Sequence, residues 1–406
     1  MKPEAEWREG WPVVMGAALA LGTALPVWNY VSSLFVAPMT AEFGWTRGQL
    51  ASASASAFLG SLAAPLIGKL ADAVGSRPVL LGGLAGYAAA FVALAYQPGT
   101  LAAYTVIIML HTMIGIACGG AIFSRAVAGW FNRNRGLALG LTMTGVPLAA
   151  ALITPALSHI ITSYGWQNGF LFLASLSLLL GLPAVIVAVK DRHRSSPGKT
   201  DQADRTRVEG ADWYQIVRSR GFWLLALSLV PINAAGTGIM SAMMPMLTDA
   251  GIGPARAATL VSLFAISVIV ARLATGWLID RLPSYAVAGI VASIPAAGCT
   301  LLVMYEGNYL FAAIALILIG VQQGAEIDLV GYLVAKLFGL RNYASVYGVC
   351  VVFLGLSGAL GVAWFGQSFD ANASYRVALA LSVPCYLIGA ALLLALRSDI
   401  RRSNVE

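Results

Sequence analysis

Gly68-Lys69-Leu70-Ala71-Asp72-Ala73-Val74-Gly75-Ser76-Arg77-Pro78 closes one long apolar run, and Gly276-Trp277-Leu278-Ile279-Asp280-Arg281-Leu282 closes another. The two Gly-x-x-x-Asp units are offset by just over half of the 406-residue chain. A repeat at half the chain length is what two pseudo-symmetric bundles of transmembrane helices produce. In each unit a glycine admits a close neighbour, and an aspartate with an arginine nearby marks the helix end. Such a charge cluster can latch two halves on one side and release them as they rock. A plain turn with surface charges explains one copy. Two copies at matching places favour the gate, with Gly68, Asp72, Arg77, Gly276, Asp280 and Arg281 as its candidates.

Composition fits this reading. The chain is 59% hydrophobic and 11% charged, with a mean hydropathy of +0.79, whereas soluble domains carry roughly 25% charged residues. Apolar runs of about 20 residues place twelve spans at 12–37, 49–69, 79–97, 101–130, 136–160, 167–189, 219–243, 255–278, 286–305, 309–337, 344–366 and 374–396. They are called spans 1 to 12 below. The expected architecture is an all-α membrane protein: an N-terminal six-helix bundle (1–189), a cytoplasmic linker (190–218) containing SSPGKTDQADRTRVEG, and a C-terminal bundle (219–406).

A net charge of +7 invites a nucleic-acid reading, which the distribution removes. Of the 25 basic residues, Lys69, Arg77, Lys190, Arg192, Arg205, Lys336, Arg397 and most others fall on the linker side. Only Arg47, Arg256 and Arg376 fall opposite. That is the positive-inside rule, and it puts both termini in the cytoplasm; the inner (plasma) membrane is the expected location. The run after Glu4, Glu6 and Glu9 is too long for a cleavable signal.

Enzymatic chemistry finds no support. The four cysteines (Cys118, Cys299, Cys350, Cys385) sit singly in different spans, and His111, His159 and His193 are scattered. Neither metal-ligand spacing, nor a nucleophile elbow, nor a phosphate-binding loop is present. The expectation is no catalytic residue, no metal and no cofactor.

Four charges lie within apolar spans: Arg125, Arg272, Glu326 and Asp328. Each costs about 2.5–3.5 kcal/mol at a helix centre, so each calls for a function or a partner. The apolar stretches 79–96, 170–189, 286–305 and 377–396 of spans 3, 6, 9 and 12 contain no charge or amide, as helices facing lipid would. Spans 1, 4, 7, 8 and 10 carry Asn29, Arg125, Asn233, Arg272, Glu326 and Asp328. Arg272 lies eight residues before Asp280, about 12 Å from the helix end, and Asp328 lies at a similar depth on span 10. Glu326 and Asp328 are about 200° apart and cannot share a face, whereas Asp328 and Tyr332 can. Either an Arg272–Asp328 pair merely neutralises two charges, or Arg272 grips a substrate anion through two parallel hydrogen bonds and an acid helps release it. Trp28, Asn29 and Tyr30 form a polar-aromatic patch that belongs either to the outer interface or to the cavity. Arg125 either snorkels to the interface or supplies a second anion contact.

GKLADAVGSRP (68–78) resembles the loop signature of the major facilitator superfamily over a chain of matching layout. That resemblance implies two six-helix domains around a central cavity, moving by alternating access. Glu9-Gly10-Trp11, Val270-Ala271-Arg272-Leu273-Ala274-Thr275-Gly276 and GAEIDLVGYLVAKLFG (324–339) resemble the monocarboxylate porters and their oxalate/formate-antiporter relatives. In those relatives the arginine matched by Arg272 binds the anion. The chain departs in three places: Val268 stands where proton-coupled porters tend to carry an aspartate, Asn29 at or beside a family lysine, and span 11 has no lysine. The resemblance therefore implies a small monocarboxylate substrate, with a proton carried by Asp328 or Glu326. The rivals are anion exchange without a proton, export of neutral or cationic amphiphiles, and a non-transporting ligand sensor.

Overall fold

The computed structural model describes residues 3–131, 135–189, 213–279, 281–304, 307–338 and 343–403. Among them every regular element is helical. Ten helices are long and apolar enough to cross a membrane, and an eleventh is a pair, Glu6–Leu21 with Leu25–Phe43, bent by 44°. The bend falls at Gly22-Thr23-Ala24, just before a helix with Pro26 in its first turn. Proline suits that position, since its missing N–H has no partner there in any case.

The span expected at 49–69 is a correction. It consists of three consecutive short helices, Arg47–Ala55, Ala57–Ser61 and Ala64–Val74. The sequence shows why: Ala-Ser alternation puts hydroxyls where they compete for backbone carbonyls, and Pro65 starts the third piece. Span 4 breaks too. Leu101–Gly115 passes through a 3-10 turn to Gly119, whose extended backbone (φ −83, ψ 169) restarts the helix at Gly120. Span 6 carries a π turn, Ser177–Gly181, ahead of Pro183.

The repeat is visible where helices touch most closely. A Cβ on Gly145 of span 5 would stand 2.3 Å from the Ala18 carbonyl oxygen of span 1, and one on Gly22 would stand 2.7 Å from the Ala149 Cβ. In the second half, a Cβ on Gly361 of span 11 would stand 2.0 Å from the Ala234 oxygen of span 7, and one on Gly238 would stand 2.8 Å from the Gly361 oxygen. The offset from Gly22 to Gly238 along the chain is the same as that from Gly145 to Gly361. Spans 2 and 4 cross at Gly60 against the Met109 oxygen (2.5 Å), and spans 8 and 10 at Gly324 against the Val268 oxygen (2.3 Å). Here the glycine has changed partner while the crossing has kept its place. Small residues let backbones approach where lipid supplies no hydrophobic drive between helices.

Among the described residues the chain packs as two compact units, Met1–Arg194 with Met240–Ala265, and Ser195–Ile239 with Ile266–Glu406. The end of span 7 and the start of span 8 pack with the first unit. In that unit span 1 lies on span 5 and span 3 on span 6; in the second, span 9 lies on spans 10 and 12.

Candidate functional site

Span 8, Pro254–Ile279, and span 10, Tyr309–Phe338, meet at the Val268–Gly324 crossing. One turn further along span 8, half-buried Arg272 donates from Nε to the Gly324 carbonyl oxygen at 3.2 Å. That bond orients the guanidinium plane against span 10. Asp328 also lies four residues, about 6 Å, beyond the same crossing, so the backbone places it at the level of Arg272. The Asp328 side chain lies outside the described residues, and so does the expected Arg272–Asp328 pairing. Tyr332, one turn further, is half-buried with the Lys336 ammonium 5.7 Å over its ring.

Glu326 faces the other way, as its place on the opposite side of the helix from Asp328 requires. It is 5% exposed and borders a small apolar cavity between spans 7, 9, 10 and 12.

Span 1 departs from expectation in part. Asn29 is exposed and Tyr30 is half-buried, its ring 6.0 Å from that of Phe264. Trp28 is half-buried. Its ring stands 5.3–6.0 Å from His111, Phe35, Phe91 and Phe170, so it packs within the aromatic interior of the first unit. Three successive residues after a single proline carry no pattern that tells which of them points there. Arg125 is exposed in the last turn of Gly120–Ala128, a placement compatible with either of its readings. Asn233 is buried and bonds to span 11, donating to the Leu354 oxygen at 2.6 Å and the Ser357 hydroxyl at 3.0 Å. It is a structural tie.

At the gate motif no described atom lies within 4 Å of a Cβ built on Gly68 or Gly276. Close helix approach occurs at Gly22, Gly60, Gly145, Gly238, Gly324 and Gly361 instead. Arg77 donates to the Ile186 carbonyl oxygen of span 6 at 2.7 Å. Arg281 lies 4.1 Å over the Trp277 ring and donates to that residue's carbonyl oxygen at 3.1 Å. Asp280 and the Asp72 side chain lie outside the described residues.

The opposite end holds contacts that the sequence reading missed. Arg47, at the start of a helix capped by Thr46, pairs bidentately with Asp249, the last residue of span 7. Ser262 donates to the Ala151 oxygen at 2.8 Å and Ser158 to the Pro254 oxygen at 3.5 Å. Arg47 and Asp249 are 202 residues apart and sit at helix ends, where charges look like ordinary solvated termini. No local signal separates them from Arg256 or Arg376.

The family model of the Major Facilitator Superfamily matches residues 16–362 and 232–405. The chain belongs to the Major Facilitator Superfamily. It is an integral membrane protein of a transporter family, with that family's all-helical fold. Human monocarboxylate transporter 11 is 26% identical over 95% of this chain and 82% of its own length. Rat monocarboxylate transporter 13 is 25% identical over 97% and 90%. Among solved structures, a bacterial homologue of the human lysosomal transporter Spinster superposes with a TM-score of 0.68 at 14% identity, over 100% of this chain and 98% of that one. The nucleoside transporter NupG superposes with a TM-score of 0.72 at 12% identity, over 96% and 99%. These two likenesses speak to fold alone.

Proposed function

We propose that this superfamily member is a secondary active transporter that moves a small organic monocarboxylate by alternating access, together with a proton. We place it in the inner (plasma) membrane with both termini cytoplasmic. The observation that carries the reading is Arg272, an always-charged guanidinium in span 8, oriented by the Gly324 carbonyl at a glycine-tight crossing. An arginine there is costly in an apolar span and well suited to a carboxylate. The similarity to monocarboxylate transporters supports the same substrate class. Asn29, Tyr30 and Tyr332 are proposed to shape the site around the anion, which one cation, Arg272, holds; an Arg125 turned into the cavity would make it a two-cation site. Asp328 or Glu326 carries the proton. The motifs at Gly68–Arg77 and Gly276–Arg281 gate one end, and the Arg47–Asp249 pair gates the other.

The test is uptake of radiolabelled L-lactate and benzoate, an aliphatic and an aromatic acid, into proteoliposomes. Arg272→Gln and Arg272→Lys are expected to abolish uptake while the protein stays folded in the membrane. Lysine keeps the charge but loses the two-pronged grip. Near-normal uptake by both variants removes Arg272 from the site.

A further inference from the structure

We propose that Glu326, Gln322 and Tyr386 form a buried protonation site inside the second unit, on the face of span 10 turned away from Arg272. Its use as the coupling site rests on the transport reading above; its existence does not.

Three observations converge. Glu326 is almost wholly buried, and its Oε1 meets no hydrogen-bond donor among the described residues. Gln322, one turn earlier on span 10, lines the same cavity as the carboxyl. The Tyr386 hydroxyl, on a fully buried side chain of span 12, is likewise without a partner among those residues. Beside them lies the cavity, walled by Leu229, Ile232, Val291 and Ala292. Gly236 of span 7 keeps the approach open: a Cβ there would stand 3.4 Å from the Tyr386 hydroxyl, 3.3 Å from Gln323 Oε1 and 3.8 Å from Gln322 Oε1.

The surroundings decide the ligand. Span 7 turns Leu225, Leu229 and Ile232 to the pocket, and the titratable groups beside Tyr386 are Cys299 of span 9 and Cys385 of span 12. No lysine, arginine or second carboxyl faces Glu326 among these groups. Orphaned polar atoms in an apolar pocket are costly and call for a partner. A proton on Oε1 turns an unmatched acceptor into a donor, and the Tyr386 oxygen or a water in the cavity can accept it. The first unit holds a counterpart. His111 precedes Glu326 by the same interval that separates Met109 from Gly324. It is fully buried with both ring nitrogens unpartnered among the described residues, beside the equally unpartnered Tyr87 hydroxyl. Each half therefore buries a titratable side chain at the same repeat position and leaves a buried tyrosine hydroxyl unpartnered among the described residues, from span 3 in the first half and span 12 in the second. In the second, the glutamate lies behind the helix face that holds Arg272, so proton and anion communicate through span 10 and need no direct contact.

The test is infrared difference spectroscopy of the full-length protein in lipid bilayers, perfused between acidic and alkaline buffer without substrate. The expected result is a carboxylic C=O band on acidification. It is lost in Glu326→Gln, kept in Asp328→Asn, moved in Glu326→Asp, and moved in Tyr386→Phe, which removes a hydrogen bond. A parent-like spectrum in Glu326→Gln, or loss of the band in Asp328→Asn, overturns the assignment. Collapse of the band on adding sodium at fixed pH overturns it in favour of a metal cation. Because Glu326→Asp and Tyr386→Phe report independently, misfolding of one variant does not remove the test. No substrate enters the measurement, so failed lactate and benzoate uptake by the parent counts against the transport reading alone.

Discussion

Neutralising Asp249 should loosen the end of the molecule where Arg47 meets span 7. The pair is bidentate, with side chains 16% and 40% exposed. Exposed pairs are worth about 0.2–1 kcal/mol, and two-pronged geometry with partial burial puts this one near the top, at about 1 kcal/mol. If the pair exists only in the closed arrangement, Asp249→Asn shifts that equilibrium about fivefold, since about 1.4 kcal/mol is tenfold. Ala258 is fully buried one turn before Ser262, which reaches the Ala151 carbonyl. In an Ala258→Cys, Cys385→Ser background, the maleimide reaction at residue 258 should therefore run about fivefold faster with Asp249→Asn, by the same arithmetic. Exchanging the charges, Arg47→Asp with Asp249→Arg, should restore much of the parent rate, and high salt should narrow the difference. An unchanged rate in Asp249→Asn, or an exchanged pair no slower than the single variant, refutes the latch.

Two further outcomes follow from the same geometry. Gly361→Ala and Gly145→Ala place a methyl group 2.0 and 2.3 Å from a carbonyl oxygen of the facing helix, so thermal melts in detergent should fall by an amount matching about 1–3 kcal/mol of overpacking. Gly276→Ala meets no described atom within 4 Å and should instead raise stability by up to about 1 kcal/mol through helix propensity; the same response in all three would remove the close-approach argument. In transport competition, monocarboxylates should outcompete dicarboxylates of similar size by about 100-fold, because a second carboxylate without a counter-charge costs several kcal/mol. Dicarboxylates that win in the parent and lose in Arg125→Gln would show that exposed Arg125 supplies a second cation.

The sequence alone determined the membrane class, the repeat and the placement of charge, because each depends on composition or on spacing along one chain. A long apolar run has few alternatives to a membrane helix. Positions two apart on a helix point to nearly opposite sides wherever that helix goes. That is why Glu326 and Asp328 could be assigned to different faces in advance. Tertiary structure decided which face met what. These helices are apolar nearly all round, so their periodicity carries little information about rotation or partner. Trp28 turned into an aromatic interior and Asn29 did not; Gly145 and Gly361 became the close crossings and Gly68 and Gly276 stayed open. The Arg47–Asp249 pair and the Gln322–Glu326–Tyr386 cluster join residues from different helices, and their meeting depends on tilt and register between those helices, which no single stretch of sequence encodes.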